Sequence, residues 1–144
     1  MSDQNYANHR QFVTMFHKVL VPALLLTFIG SIVNLTRSWG DHERIYSAAL
    51  LVVLCASTML LAFLARIFSL RAQDRAIRAE ESLRYYILTG QLPDQRLTIR
   101  QIVALRFAPD EELQGLARRA AEENLAADSI KRAVKNWRAD LYRV

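Results

Sequence analysis

Val19–Thr36 (VLVPALLLTFIGSIVNLT) and Ile45–Ala65 (IYSAALLVVLCASTMLLAFLA) decide the fold. They run for 18 and 21 residues without one Asp, Glu, Lys, Arg or His. A helix of about 20 mostly apolar residues crosses the hydrocarbon core of a bilayer. The loop between them, Arg37–Arg44, is too short to hold a domain. The chain therefore reads as all-α, a two-transmembrane helical hairpin with a long second helix extending into a small cytoplasmic helical tail. The predicted segments are an interfacial N-terminal stretch over 1–18, a first span over 19–36, an external loop over 37–44 and a second span over 45–70. The second helix continues over 71–89, a loop covers 90–97, and amphipathic helices fill 98–144.

Charge sets the orientation. The loop carries Arg37, Asp41, Glu43 and Arg44 and no net charge, whereas Arg66, Arg71, Arg75 and Arg78 follow the second run and Arg10 and Lys18 precede the first. The excess of basic residues puts both termini in the cytoplasm. Trp39 and Tyr46 then fall at the outer interface, and Phe12, Phe16 and Phe68 near the inner one. The opening MSDQNYANHRQF is polar and aromatic, unlike the short basic region of a signal peptide, so both spans are expected to be retained.

The net charge is +5, and 16 of the 19 basic residues are arginine. From Arg71 onward, 14 basic residues mix with 11 acidic ones. That mixture describes a solvated surface and not a nucleic-acid stripe. The tail is also short for a domain that must bury its own core, so it is expected to lean on the membrane, on itself or on a partner.

Within the spans, small and polar residues recur: Thr27, Gly30, Ser31 and Asn34 in the first, and Ala48, Cys55 and Ala62 at intervals of seven in the second. Small residues let helix backbones approach closely. Gly30, Ser31, Asn34, Ala48, Cys55 and Ala62 are thus candidate packing positions, either within the hairpin or between copies. Pro22 sits near the start of the first span, where its missing N–H costs least.

Residues 7–18 read as a short helix lying at the interface, with Phe12, Met15, Phe16 and Val19 on one side and His9, Arg10, Gln11 and Lys18 on the other. No Pro or Gly interrupts Ile45–Thr89, so one helix of roughly 40 residues is expected, about 60 Å long, ending at Gly90. Ala72, Ala76, Leu83 and Ile87 mark one face of its extension, and Glu80 with Arg84 forms an i,i+4 pair. Pro93-Asp94 signals a turn, and Thr98-Ile-Arg-Gln101 a capping box. The helix it opens carries Ile99, Ile102, Val103 and Phe107 and ends near Ala108. Pro109 takes the first position of the next helix, whose stripe is Leu113, Leu116, Ala117 and Ala120. Asp128 or Ser129 caps the last helix, with a stripe of Ile130, Val134, Trp137 and Leu141 and a cationic face of Lys131, Arg132, Lys135 and Arg138. That helix either packs on its predecessor or lies, with Trp137 and Tyr142, on anionic lipid.

No catalytic, cofactor-binding or metal-binding constellation emerges. His9 and His17 have no carboxylate or cysteine at ligand spacing, and His42 lies on the opposite membrane face from both in this topology. Glu80-Glu81, Glu111-Glu112 and Glu122-Glu123 read as solvated surface acids, and no nucleophile stands beside a base. Arg66, next to the second run, either snorkels to headgroups or stands as an intramembrane charge. Tyr6, His9, Arg66, Arg71 and Trp137 are the candidate contacts to partner or lipid.

Asn5-Tyr6-Ala7-Asn8-His9, an NY-x-NH motif, together with Phe16-His17, two close spans and the tail Leu97–Ala120 (LTIRQIVALRFAPDEELQGLARRA), resembles an uncharacterised bacterial two-span membrane family known as a domain of unknown function. The resemblance implies a multi-pass protein of the bacterial inner (plasma) membrane and no particular activity. The expected function is a non-enzymatic structural or accessory membrane protein, a small subunit of a larger complex or a self-associating scaffold. The alternative is a homo-oligomeric channel or transport component lined by Thr27, Ser31, Asn34, Ser57 and Thr58. Its expected partners are the lipid bilayer and protein subunits or further copies of itself, without nucleic acid or cofactor.

Overall fold

A computed structural model of the chain describes residues 4–9 and 12–140. Every regular element among them is helical. A π-helical turn, Met15–Leu20, runs directly into α1 (Val21–Arg37). There follow α2 (His42–Thr89), α3 (Ile99–Leu105), α4 (Asp110–Glu122) and α5 (Ala127–Ala133). Two helical stretches, Met15–Arg37 and His42–Thr89, are long and apolar enough to cross a membrane. The chain forms two compact units: a hairpin unit, Phe12–Ser69, and a terminal unit that joins the N-terminal segment to everything from Leu70 onward.

In the hairpin unit the π turn precedes Pro22. Proline cannot donate to the carbonyl four residues back, and its ring crowds that carbonyl. The wider turn accommodates this, with Val21 N–H reaching back five residues to Phe16 O. Arg66 lies over the Phe16 ring at 5.6 Å, so α2 returns past the start of the first helical stretch. One stripe of α1, Leu24, Phe28, Ser31 and Leu35, is buried or half-buried, as are Ala48, Val52, Cys55, Met59 and Ala62 of α2. Ala48 is 1 % exposed. Among the candidate packing positions of α1, only Ser31 faces inward. Gly30 and Asn34, with Thr27, face outward, and a methyl group added at Gly30 would meet nothing within 4 Å.

Hydroxyls in the two apolar helical stretches bond to their own helices: Thr27 to Ala23 O and Leu24 O, Ser31 to Phe28 O, Thr36 to Val33 O, and Thr58 to Leu54 O. The loop turns at Gly40, whose φ of 92° suits glycine. Asp41 then caps α2 by accepting from Glu43 N and Arg44 N.

The 48 residues of α2 extend the expected uninterrupted helix by a few residues at its N-terminus. It stops at Gly90, where φ is 72°. Beyond it, Asp94 turns the chain by accepting from Arg96 N and from the Arg96 guanidinium, whose hydrogen bond holds the Asp94 carboxyl at about 2. The capping box is present: Gln101 N donates to Thr98 Oγ1 and Thr98 N donates to Gln101 Oε1. The amide of buried Gln101 also donates to Ala120 O and Leu125 O, tying α3 to the end of α4.

Three apolar stripes meet in one core of Ile102, Leu105, Leu113, Leu116, Ile130 and Val134 with several alanines. Phe107 and Ile130 are its largest wholly buried side chains. The end of α4 is a Schellman closure: Asn124 takes a positive φ of 48° and Leu125 N reaches Ala120 O at 3.2 Å.

Several expectations are corrected. No separate helix covers the described part of 7–18: Tyr6–Asn8 form a turn, and the helix begins at Met15 as part of the first apolar helical stretch. Arg10 and Gln11 lie outside the described residues. Pro109 precedes α4 as its cap in place of occupying the first helical position. Ala126, and neither Asp128 nor Ser129, caps α5. That helix ends at Ala133, with Val134 extended, because other acceptors take the next amides. Glu112 accepts from Lys135 N and Asn136 N, and Phe107 O accepts from Arg138 N. Trp137 still turns inward although no helix carries it, and Leu141 and Tyr142 fall outside the described residues. On α2 the inward face is Ile77, Glu81 and Tyr85, while Ala72, Ala76, Leu83 and Ile87 face outward.

Truncating Ile130→Ala should cost about 3 kcal/mol, as a wholly buried aliphatic side chain does when its site cannot collapse. Chemical denaturation of the full chain in detergent, followed by Trp137 fluorescence in a Trp39→Phe background, measures it; a shift below half that size would place Ile130 outside the core.

Candidate functional site

The NY-x-NH motif folds as a turn because its asparagines compete with helix formation. Asn5 Oδ1 accepts from Ala7 N at 2.9 Å and from Asn8 N at 3.3 Å, and Asn8 Oδ1 accepts from Asn5 N at 2.6 Å. This turn presents Tyr6 and His9 on one side, where both dock within the same chain.

Tyr6 donates its hydroxyl proton to Asp128 Oδ1 at 2.7 Å and accepts from Arg132 Nε at 3.1 Å. The Arg132 guanidinium also covers the Tyr6 ring at 4.8 Å and pairs with Asp128 Oδ2 at 3.0 Å. Asp128 and Arg132 are one turn apart on α5, so a single helix face grips the tyrosine. The Tyr6 hydrogen bond, then Arg132, holds the Asp128 carboxyl below its ordinary range, and Tyr6, then Asp128, raises Arg132.

His9 sits among aromatic rings, with its centroid 5.8 Å from those of Phe107 and Trp137, which are themselves 4.7 Å apart. Its Nδ1 lies 2.6 Å from Tyr6 O and its Nε2 lies 3.2 Å from Lys131 Nζ. An ammonium is a donor only, so Nε2 accepts and the Nδ1–H donates to Tyr6 O: the ring is the neutral Nδ1–H tautomer. Arg106 covers the Phe107 ring at 4.4 Å and pairs with Asp140 at 2.7 Å. Gln4 completes the strap, accepting from Asp140 N at 2.7 Å.

A second cluster fastens α2 to this assembly. Arg84 donates to Glu81 at 2.9 Å, to Ala108 O at 2.9 Å and to Asp110. Glu81 also accepts from Arg138 at 3.1 Å. Its side chain is 9 % exposed and that of Arg84 14 % exposed, so Glu81 is no surface acid and the partner of Arg84 is Glu81 rather than Glu80.

The structure thus unites Tyr6, His9 and Trp137 from the sequence candidates in the terminal unit. Arg66 belongs to the hairpin unit against Phe16, and Arg71 lies exposed on α2 outside the cluster. Sequence reasoning passed over Arg84, Glu81, Arg106, Phe107 and Asp140 as site residues, because most of their partners lie 24 or more positions away. Among the described residues no three of His, Cys, Asp and Glu gather where a metal ion could be held. What this arrangement can do is join both ends of the chain into one body through polar and aromatic contacts.

Over residues 1–144 the chain matches a family described as a family of unknown function, DUF6526, and it belongs to that family. No curated protein and no solved structure matches it.

Two outcomes follow from these contacts. A carboxyl held low in the folded state contributes stability above its ordinary value, and that stability is lost as pH falls through the lowered one. Docking of Tyr6 should therefore hold at neutral pH and weaken only in acid, and Tyr6→Phe should move the Asp128 titration upward. An NMR pH titration of the solubilised chain checks this; an unmoved Asp128 would refute the hydroxyl's part. Separately, Arg84→Met leaves the largely buried Glu81 without its closest partner and should destabilise the terminal unit by roughly 3 kcal/mol, read as an earlier denaturation midpoint.

Proposed function

With family membership assigning no role, we propose that this protein is a non-enzymatic integral membrane protein that anchors a small helical module to the bacterial inner membrane as a scaffold or accessory subunit. The observation that carries the reading is the exposure of the hairpin unit. Leu26, Val53, Leu54, Leu61 and Phe63 are each more than 60 % exposed. Such a surface in water would be a liability on every side, whereas in lipid it is solvated.

Residues 4–9 and the residues after Leu70 contribute to one compact unit. That supports the reading in which the two flanks of a spanning hairpin lie on one side of the membrane. The arginines flanking the spans favour the cytoplasm for that side. The turning of Thr27, Ser31, Thr36 and Thr58 hydroxyls onto their own carbonyls supports a lipid-facing hairpin over a pore lining. The polar contacts of the terminal unit are ion pairs and ring contacts that order the chain, which supports a binding module over a catalyst.

The test places single cysteines in a Cys55→Ala background. A membrane-impermeant maleimide should label Trp39→Cys from outside intact cells and leave Asp94→Cys unlabelled until the cells are opened. The chain should also stay in the membrane after alkaline carbonate. Release by carbonate would overturn the anchoring, and the reverse labelling would overturn the orientation. Native mass measurement in a membrane mimic then separates an accessory subunit, recovered with larger proteins at fixed ratio, from a self-assembled scaffold.

A further inference from the structure

The terminal unit leaves one helix face uncovered. On α2, Ala72, Ala76, Ala79, Leu83 and Tyr86 recur at steps of four and three residues, and all are exposed. Leu83 is 59 %, Tyr86 51 % and the adjoining Ile87 72 % exposed. The opposite side of the same stretch, Ile77, Glu81 and Tyr85, is occupied by the terminal unit itself.

The charges beside this stripe say what covers it. At 100° per residue, Arg75 lies on one flank and Glu80 on the other. Both are exposed, and among the described residues neither has an ion-pair partner. The partner that helical spacing offers Glu80 is Arg84, and Arg84 is already engaged by Glu81 and Asp110. A pair of opposite charges five positions apart, straddling an apolar stripe, is the pattern that pairs across parallel two-stranded helices. In a two-fold arrangement each arginine meets the glutamate of the other chain, twice over. Anionic headgroups would repel Glu80, so the face suits a lipid surface poorly.

We infer that α2 pairs in parallel with α2 of a second copy of this chain, through the Ala72–Tyr86 stripe, with Arg75 of each copy facing Glu80 of the other. The inference rests on the membrane reading above. Because α2 is one uninterrupted helix from His42 to Thr89, copies inserted with the same orientation present it in parallel. The shared bilayer supplies that alignment in advance, which lowers the entropic cost of pairing. The scaffold's partner is then another copy of itself.

The experiment uses the full chain, Cys55→Ala, in liposomes under mild oxidation. Ala79→Cys and Leu83→Cys should form disulfide-linked dimers, and Arg78→Cys, about a quarter-turn away, should not. Arg75→Glu should lower apparent dimer affinity roughly tenfold by turning two attractions into repulsions, and adding Glu80→Arg should restore it. Equal linkage at all three positions, no linkage by inserted chains, labelling of Leu83 by photoactivatable lipid in place of dimer, or failure of the double reversal would each overturn the pairing. Carbonate-resistant insertion, measured on the same vesicles, separates the two readings. Insertion without linkage removes the dimer alone, whereas failure to insert removes the membrane reading and the pairing that rests on it.

Discussion

Arg84 is the interaction on which the terminal unit depends. Its guanidinium reaches Glu81 on its own helix, the Ala108 carbonyl at the corner after α3, and Asp110 at the start of α4. Glu81 extends the link to Arg138 in the irregular tail. Four chain segments are thus joined by a pair of charged groups, Arg84 and Glu81, both mostly withdrawn from water. Such a group holds geometry well because its alternatives are poor: a displaced guanidinium leaves buried acceptors unmet. A helical stretch of this size has a core too small to specify its arrangement by packing alone. The polar bonds supply the missing specification.

The strap makes the same point from the other end of the chain. Tyr6 and His9 add little apolar area, yet each meets partners of defined direction. The Tyr6 hydroxyl fits between a carboxylate and a guanidinium held one turn apart, and His9 fills an aromatic corner between Phe107 and Trp137. Both belong to a motif whose asparagines preset the turn, so the segment arrives with little left to order. Pre-organisation of that kind lowers the cost of docking. The residues after α5 leave the helix because Glu112 takes the amides of Lys135 and Asn136 and the Phe107 carbonyl that of Arg138, and Trp137 thereby reaches the strap.

What could be read in the sequence was whatever physics makes local. The uncharged runs, the uninterrupted α2, its stop at Gly90 and the Thr98–Gln101 box all depend on residues within a turn or two of one another. The helix over 7–18 misled because its periodicity counted Phe12 and Phe16 and ignored asparagines that prefer their own turn. The last helix misled because Ile130, Val134 and Trp137 keep the spacing of a stripe while Glu112, more than twenty positions away, competes for the amides. Glu81 looked like one of several surface acids, since nothing nearby in sequence announces Arg138. The face of α2 was assigned by its alanines and leucines, yet the inward side is Ile77, Glu81 and Tyr85. The site was less legible than the fold because its partners come from opposite ends of the chain.

That separation has a consequence for assembly. Tyr6 and Asp128 are 122 positions apart, so the strap is synthesised long before its receptor. At 5–20 residues per second the interval is roughly 6 to 25 s, during which Tyr6 and His9 have no receptor to dock on. The contact therefore forms only after α5 has been made. The strap is a late fastening: it closes only on chains whose receptor in α5 and the tail is complete.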